Sequence, residues 1–153
     1  MFKRCLSMMF VIFMLIVSSQ SIALAGLNDD DYKYVWGRGN TGYYIVKSSI
    51  NCEQYNPPYY ILSADVGGAN IMSGNINSSE RIRIYYDYDN RTMYKEGYNG
   101  DWVYMPPNGS NGQSGMKMYV GEAIFYMNYS LKFYGSLTNC TSDFKHSWYS
   151  KFD

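Results

Sequence analysis

One histidine, four prolines and three cysteines are all that 153 residues provide of those types, and each scarcity removes a class of chemistry. With His146 alone there is no H-E-x-x-H zinc signature, and no multi-histidine metal site can be assembled. A Ser-His-Asp triad would depend on that one histidine, and neither Ser110 nor Ser114 sits in a G-x-S-x-G elbow. Charge is sparse too: 17% of residues are Asp, Glu, Lys or Arg, with 13 basic and 13 acidic. No basic stripe runs along the chain, so nucleic acid is not an expected partner. Beyond residue 17 there is no second long apolar run, so nothing further along the chain reads as a membrane span. No segment repeats at a fixed period.

What is present begins with an export signal. Met1-Phe2-Lys3-Arg4 is positively charged, Leu6 to Val17 is apolar except for Ser7, and Ala23-Leu24-Ala25 supplies a small-residue cleavage site. Those are the three parts of a secretory signal. The apolar run is short of the roughly 20 residues that a spanning helix needs. Cleavage is expected after Ala25, leaving residues 26–153 as a single exported domain, secreted or periplasmic, with no stable membrane insertion. Lys3 and Arg4 depart with the leader, so the remaining domain is slightly acidic.

Cys5 leaves with the same leader. Cys52 and Cys140 remain, and two cysteines in an oxidising compartment predict a disulfide. The loop it would close is long, and on the chain-entropy view that is worth about 4 to 5 kcal/mol before strain.

Eighteen tyrosines, all after residue 25, with abundant Asn, Ser and Gly, favour strands joined by turns. Residues 32 to 48 read as a hairpin turning at Gly37 to Gly42. Tyr59 to Val66 reads as a third strand ended by Gly67-Gly68, and residues 67 to 79 read as a loop. Arg81 to Tyr88 alternates, with Ile82, Ile84 and Tyr86 on one face and Arg81, Arg83 and Asp87 on the other. Asp89-Asn90 offers a two-residue turn, in which paired residue numbers sum to 179 and Arg83 faces Glu96. Asn99-Gly100 turns again into a sixth strand, Asp101 to Met105. From Met116 the period changes: Val120, Ile124, Met127, Leu131 and Tyr134 form one helical stripe, stopped by Gly135. Glu122 near its start and Lys132 near its end suit the helix dipole. The expected fold is α+β: an antiparallel sheet of about six short strands, with one C-terminal helix packed on one face.

Two motifs dissolve on inspection. Gly37-Arg38-Gly39-Asn40-Thr41-Gly42 spells G-x-G-x-x-G, but a strand follows where a dinucleotide site needs a helix. Asp87-Tyr88-Asp89-Asn90 opens like a calcium loop, yet the later ligand positions hold Arg91 and Tyr98 and the turn position holds Thr92. No cofactor or metal is therefore expected. Asp65, Glu80, Asp101 and Glu122 could supply paired carboxylates if the fold brought them together, which keeps a carboxylate-dependent hydrolase as the alternative. His146 reads as a tail residue beside Trp148.

The aromatics are the unusual resource. A sheet with one helix covers one face well, so part of the tyrosine set must lie at the surface. Rigid, amphipathic rings of that kind suit protein and glycan surfaces. Trp36, Tyr43, Tyr85, Tyr94 and Trp102 are the candidate binding-surface aromatics. The segment Tyr34-Val35-Trp36 with Gly42-Tyr43-Tyr44-Ile45-Val46-Lys47-Ser48-Ser49-Ile50 resembles the opening of the surface-adhesin protein E family of small exported bacterial proteins. That resemblance implies an antiparallel sheet flanked by helices and an adhesin-like role, and it assigns no site residue. The functional expectation is an exported, non-catalytic bacterial protein that binds an extracellular protein or glycan.

Overall fold

The computed structural model describes residues 27, 30–107, 115–135 and 142–153. The leader through Ala25, the loop expected at 108–115 up to residue 114, and Cys140 lie outside the described residues.

Seven strands form one antiparallel sheet: β1 (Tyr32–Arg38), β2 (Thr41–Val46), β3 (Asn51–Asn56), β4 (Tyr59–Asn70), β5 (Ile76–Asp87), β6 (Thr92–Glu96) and β7 (Trp102–Tyr104). A one-turn 3-10 helix, Lys47–Ser49, separates β2 from β3. Two α-helices follow, α1 (Gly115–Tyr129) and α2 (Ser142–Tyr149). The spatial order is β1-β2-β4-β5-β6-β7, with β3 also paired to β4. β2 and β3 share one edge of β4: β2 takes Val66 to Asn70 and β3 takes Tyr59 to Ser63. The class is α+β as expected, but with a seventh strand and a second helix.

The first hairpin turns at Gly39-Asn40, with Gly39 at φ 59, so the G-x-G-x-x-G stretch is a tight hairpin turn. Asp31, just before β1, accepts hydrogen bonds from the backbone N–H and the hydroxyl of Ser48, each at 2.6 Å.

β4 runs through Gly67-Gly68 rather than stopping there. Both glycines are buried, and Gly68 lies opposite Tyr43, whose ring comes within 3.5 Å of where a Cβ would sit. A glycine inside a strand often marks such a close approach. β5 starts at Ile76, so most of the stretch read as a loop is strand, and only residues 71 to 75 turn.

The β5–β6 register has the expected sum: Ile84 pairs with Lys95, Tyr85 with Tyr94 and Tyr86 with Met93. The turn itself is longer. Asp87 and Thr92 are the last pair, and residues 88 to 91 form a four-residue loop. Arg91, not Asp89 or Asn90, takes the left-handed backbone, at φ 51. Asp87 holds the loop by accepting from the backbone N–H and side-chain amide of Asn90.

One face of the sheet shares a single core with the helices. Leu62, Ala64, Ile82, Ile84 and Tyr86 from β4 and β5 cluster with Val120, Ile124 and Phe125 from α1 and with Trp148 from α2. The Tyr86 hydroxyl donates to the Gly121 carbonyl at 2.8 Å. α1 ends at Tyr129, where Ser130 adopts φ 55, five residues before the expected stop at Gly135. The chain then folds back. Leu131 is half exposed, while Phe133 enters the core.

That reversal explains Glu122. It is fully buried, not a solvent-facing dipole partner. Its carboxylate accepts from the N–H groups of Tyr134 and Gly135 and from the Tyr149 hydroxyl. A buried carboxylate persists only when so supplied with donors. At the far end, the Trp148 indole N–H donates to the Val35 carbonyl at 2.9 Å, where a register shift between Tyr34 and Trp36 turns that carbonyl away from β2.

Candidate functional site: the open face of the sheet

Alternation sends every second residue of β4 to β7 away from the core. On that open side the strands place five aromatic rings in a row that crosses β4, β5, β6 and β7. Tyr59 stacks on Tyr85, centroids 6.3 Å apart and planes within 11°. Tyr85 touches Tyr94 at 5.6 Å and Trp102 at 5.7 Å, and Tyr94 touches Tyr104 at 5.6 Å. Tyr59 and Tyr104 are exposed, and the other three are half-buried. With strands about 4.8 Å apart, the row is roughly 14 Å long.

Two residues further along the strands lies a charged row. Arg83 pairs with Glu53 at 2.8 Å and with Glu96 across the β5–β6 hairpin. Arg81 pairs with Asp65 at 2.8 Å and donates to the Ser63 hydroxyl at 3.0 Å. The Arg83 guanidinium lies 5.7 Å from the centre of the Trp102 ring, which ties the two rows together. Hydrogen bonding to Arg83 holds the Glu53 carboxyl below its ordinary range, and Glu53 in turn holds the Arg83 guanidinium above its own. Partial burial, then Asp87, pushes the Tyr85 phenol up. Arg83 and Glu53 thus stay charged at neutral pH, and the ion pairs of the row largely neutralise one another.

Of the five candidate aromatics, Tyr85, Tyr94 and Trp102 come together here. Trp36 and Tyr43 do not join them. They meet each other at 5.7 Å with tilted planes, and Trp36 also meets Tyr119 of α1, so both pack against the core side. Tyr59, Tyr104 and Glu53 are members that the sequence reading did not nominate. Tyr104 follows from the register, since it pairs with Tyr94. Glu53 lies on β3, a strand with six exposed positions and no apolar alternation to betray it.

The four carboxylates considered for hydrolysis do not gather in one cleft. Glu122 is in the core and Asp65 is on the open face with Arg81. Glu80 is paired with Lys117 at 3.1 Å and borders the same depression as Asp101. Among the described residues no group of three His, Cys, Asp or Glu side chains could hold a metal ion. His146 is exposed rather than packed beside the buried Trp148. The Cys52 thiol is exposed on β3, 3.5 Å from the Tyr129 hydroxyl; its expected partner, Cys140, lies outside the described residues. Burial, and then the contact with Cys52, pushes the Tyr129 phenol well up. No helix of the described residues is long and apolar enough to cross a membrane.

Comparison with family models, with curated proteins and with solved structures returned no match.

Proposed function

We propose that this is an exported, non-catalytic protein that binds an extracellular protein or glycan through the open face of its sheet. One observation carries the reading: the rings of Tyr59, Tyr85, Tyr94, Trp102 and Tyr104 contact one another on the side of the sheet away from the helix core. Rings pre-positioned on strands lose little entropy on binding, and they present broad apolar area beside polar hydroxyls. The adjacent ion row supplies hydrogen-bond donors and acceptors without a strong net field. The leader at residues 1–25 and the resemblance of the first hairpin to the protein E family supply the exported, bacterial setting.

The test is a binding screen of the purified protein against a glycan array and a panel of extracellular proteins, followed by alanine substitution. Tyr85→Ala and Trp102→Ala are each expected to weaken the bound ligand at least tenfold, while Trp36→Ala, on the opposite side, leaves affinity unchanged. Ligand binding that tolerates both open-face substitutions would rule the proposal out.

A further inference from the structure

β5 is long and β6 is short. β4 pairs with β5 from Ile76 to Asp87, whereas β6 pairs only with Ile84 to Asp87. Among the described residues no strand pairs with the other edge of β5 from Ile76 to Ile82, since Arg83 lies opposite Glu96, the last residue of β6. At about 3.3 Å per residue, that is roughly 23 Å of strand edge.

Three hydrogen bonds fix which backbone groups face outward. The Asp65 N–H donates to the Ser49 hydroxyl, on the β3 side of β4, so Asp65 turns its backbone away from β5. Its neighbours Ala64 and Val66 therefore turn theirs toward β5, where they pair with Ile82 and Glu80. The Tyr88 N–H donates to the Pro58 carbonyl, which puts the even-numbered β5 positions on the β4 side again. Independently, the Met105 N–H donates to the Met93 carbonyl, so Met93 faces β7, Tyr94 faces β5, and Tyr85 faces β6. By alternation Ser79 and Arg81 aim their N–H and C=O groups at the open edge, while Arg83 already faces Glu96 at the end of β6.

Edge strands are commonly shielded by charged side chains. Here the two arginines lean off the edge toward β3 and β4: Arg81 to Asp65, Ser63 and the Ser49 carbonyl, and Arg83 in part to Glu53. Beside the edge lies a depression of ≈ 580 Å³, bounded by Arg81 and Ile82 on one side and by Gly97, Tyr98 and Val103 of the β6–β7 hairpin on the other.

We propose that this notch is a strand-addition site, which takes an extended, proline-free segment of another polypeptide as a local extra strand on β5. Backbone pairing with Ser79 and Arg81 supplies the affinity, the mode by which exposed sheet edges capture peptides. The occupant is a single extended segment because the β6–β7 turn walls the far side of the notch, leaving no lane for the whole sheet edge of a second copy. Its side chains are uncharged and strand-forming. Of the lining charges, Arg81 is paired with Asp65, Arg83 with Glu53 and Glu96, and Lys117 with Glu80, while Lys95 and Asp101 add one charge of each sign, so the notch has no net sign to match, and Ile76 to Ser79 carries no charge. This site is separate from the aromatic face and stands or falls independently of it.

Amide exchange on the purified protein, expressed from the full chain, gives the first measurement. The Ser79 and Arg81 amides are expected to exchange at least tenfold faster than those of Glu80 and Ile82. Protection of the odd-numbered set in the free protein means that the chain already covers its own edge, which overturns the site. The second probe is a displayed library of random linear octapeptides. Enriched peptides are expected to slow exchange at Ser79 and Arg81 at least tenfold and to lose binding when alternate peptide amides are N-methylated in one phase but not the other. Ser79→Pro removes an outward N–H and leaves the β4 ladder whole, so it is expected to keep the circular dichroism of the parent and lose peptide binding at least tenfold. No enriched peptide, peptides that map to Tyr85 and Trp102, or self-association that Ser79→Pro abolishes would each overturn the proposal.

Discussion

The Tyr149 hydroxyl in α2 donates to the carboxylate of Glu122 in the middle of α1, and both residues are buried. With the N–H groups of Tyr134 and Gly135 on the same carboxylate, one side chain joins α1, the reversal after it and α2. Glu122→Gln substitutes an amide whose N–H₂ faces donors it cannot accept from. A buried mismatch of this kind costs about 1 to 3 kcal/mol. The expected result is a lower urea midpoint at an unchanged denaturant slope, measured by tryptophan fluorescence.

Alkaline pH should be destabilising for the same reason. Burial first, and then Glu122, raises the Tyr149 phenol far above its ordinary range; burial also raises Tyr134 and Tyr86. Between the unfolded value, about 10, and the raised folded values, the folded state holds more protons than the unfolded state. Stability is therefore full below that window and falls as pH rises through it. Urea unfolding between pH 8 and 11 should show the decline, and Tyr149→Phe should make it shallower. An identical slope in the variant would count against the role given to Tyr149.

At the acid end the relevant pair is Glu53 and Arg83. Because Arg83 lowers the Glu53 carboxyl, the pair stabilises the fold above the unfolded value of about 4.3 and loses that contribution as pH falls through the lower folded value. Both partners are partly exposed, so the effect is small, under about 1 kcal/mol. In Arg83→Ala the Glu53 carboxyl should titrate closer to its ordinary range by carbon-detected NMR.

Arg91 separates backbone strain from side-chain contact. Its φ of 51 is unfavourable for a residue with a Cβ, by about 1 to 2 kcal/mol. Its guanidinium nonetheless lies 3.9 Å from the centre of the Tyr88 ring and donates to the Phe133 carbonyl at 2.8 Å. Arg91→Ala loses the contacts and keeps the strain, whereas Arg91→Gly loses both. Glycine should be the milder substitution by about 1 kcal/mol in thermal unfolding, within the range of that backbone term.

Because the Cys52 thiol is exposed, the expected bond to Cys140 has a simple readout. If the chain is exported and cleaved as proposed, titration of the unreduced protein with a thiol reagent should find no reactive sulfhydryl. Two reactive groups would show that the cysteines are separate.

The sequence was most readable where side chains alternate. Ile82, Ile84 and Tyr86 gave β5 its face, and the charges on Arg83 and Glu96 selected the β5–β6 register. It was least readable where local propensity is overridden. Gly67-Gly68 looked like a stop because the close approach of Tyr43 depends on β2, far away in the chain. β3 has no buried position to produce a pattern. Leu131 and Tyr134 continued the helical stripe in the sequence, but the donors that satisfy Glu122 require the chain to reverse before them. Three of the five nominated aromatics share the open face because alternation within β5, β6 and β7 was legible. Trp36 and Tyr43 were not separable from them, since which side of β1 and β2 meets Tyr119 is a tertiary fact.

The bond from Trp148 to Val35 spans 113 positions. Five of the six main strand pairings besides it join consecutive strands, so the sheet can grow hairpin by hairpin as the chain emerges. β1 is made before α2, yet its bulged edge waits for α2, 113 positions later, to be capped. A chain emerging N-terminus first would therefore carry an unfinished edge until α2 arrives. Truncation before residue 142 should leave a protein with its strands assembled and a persistent tendency to aggregate through β1.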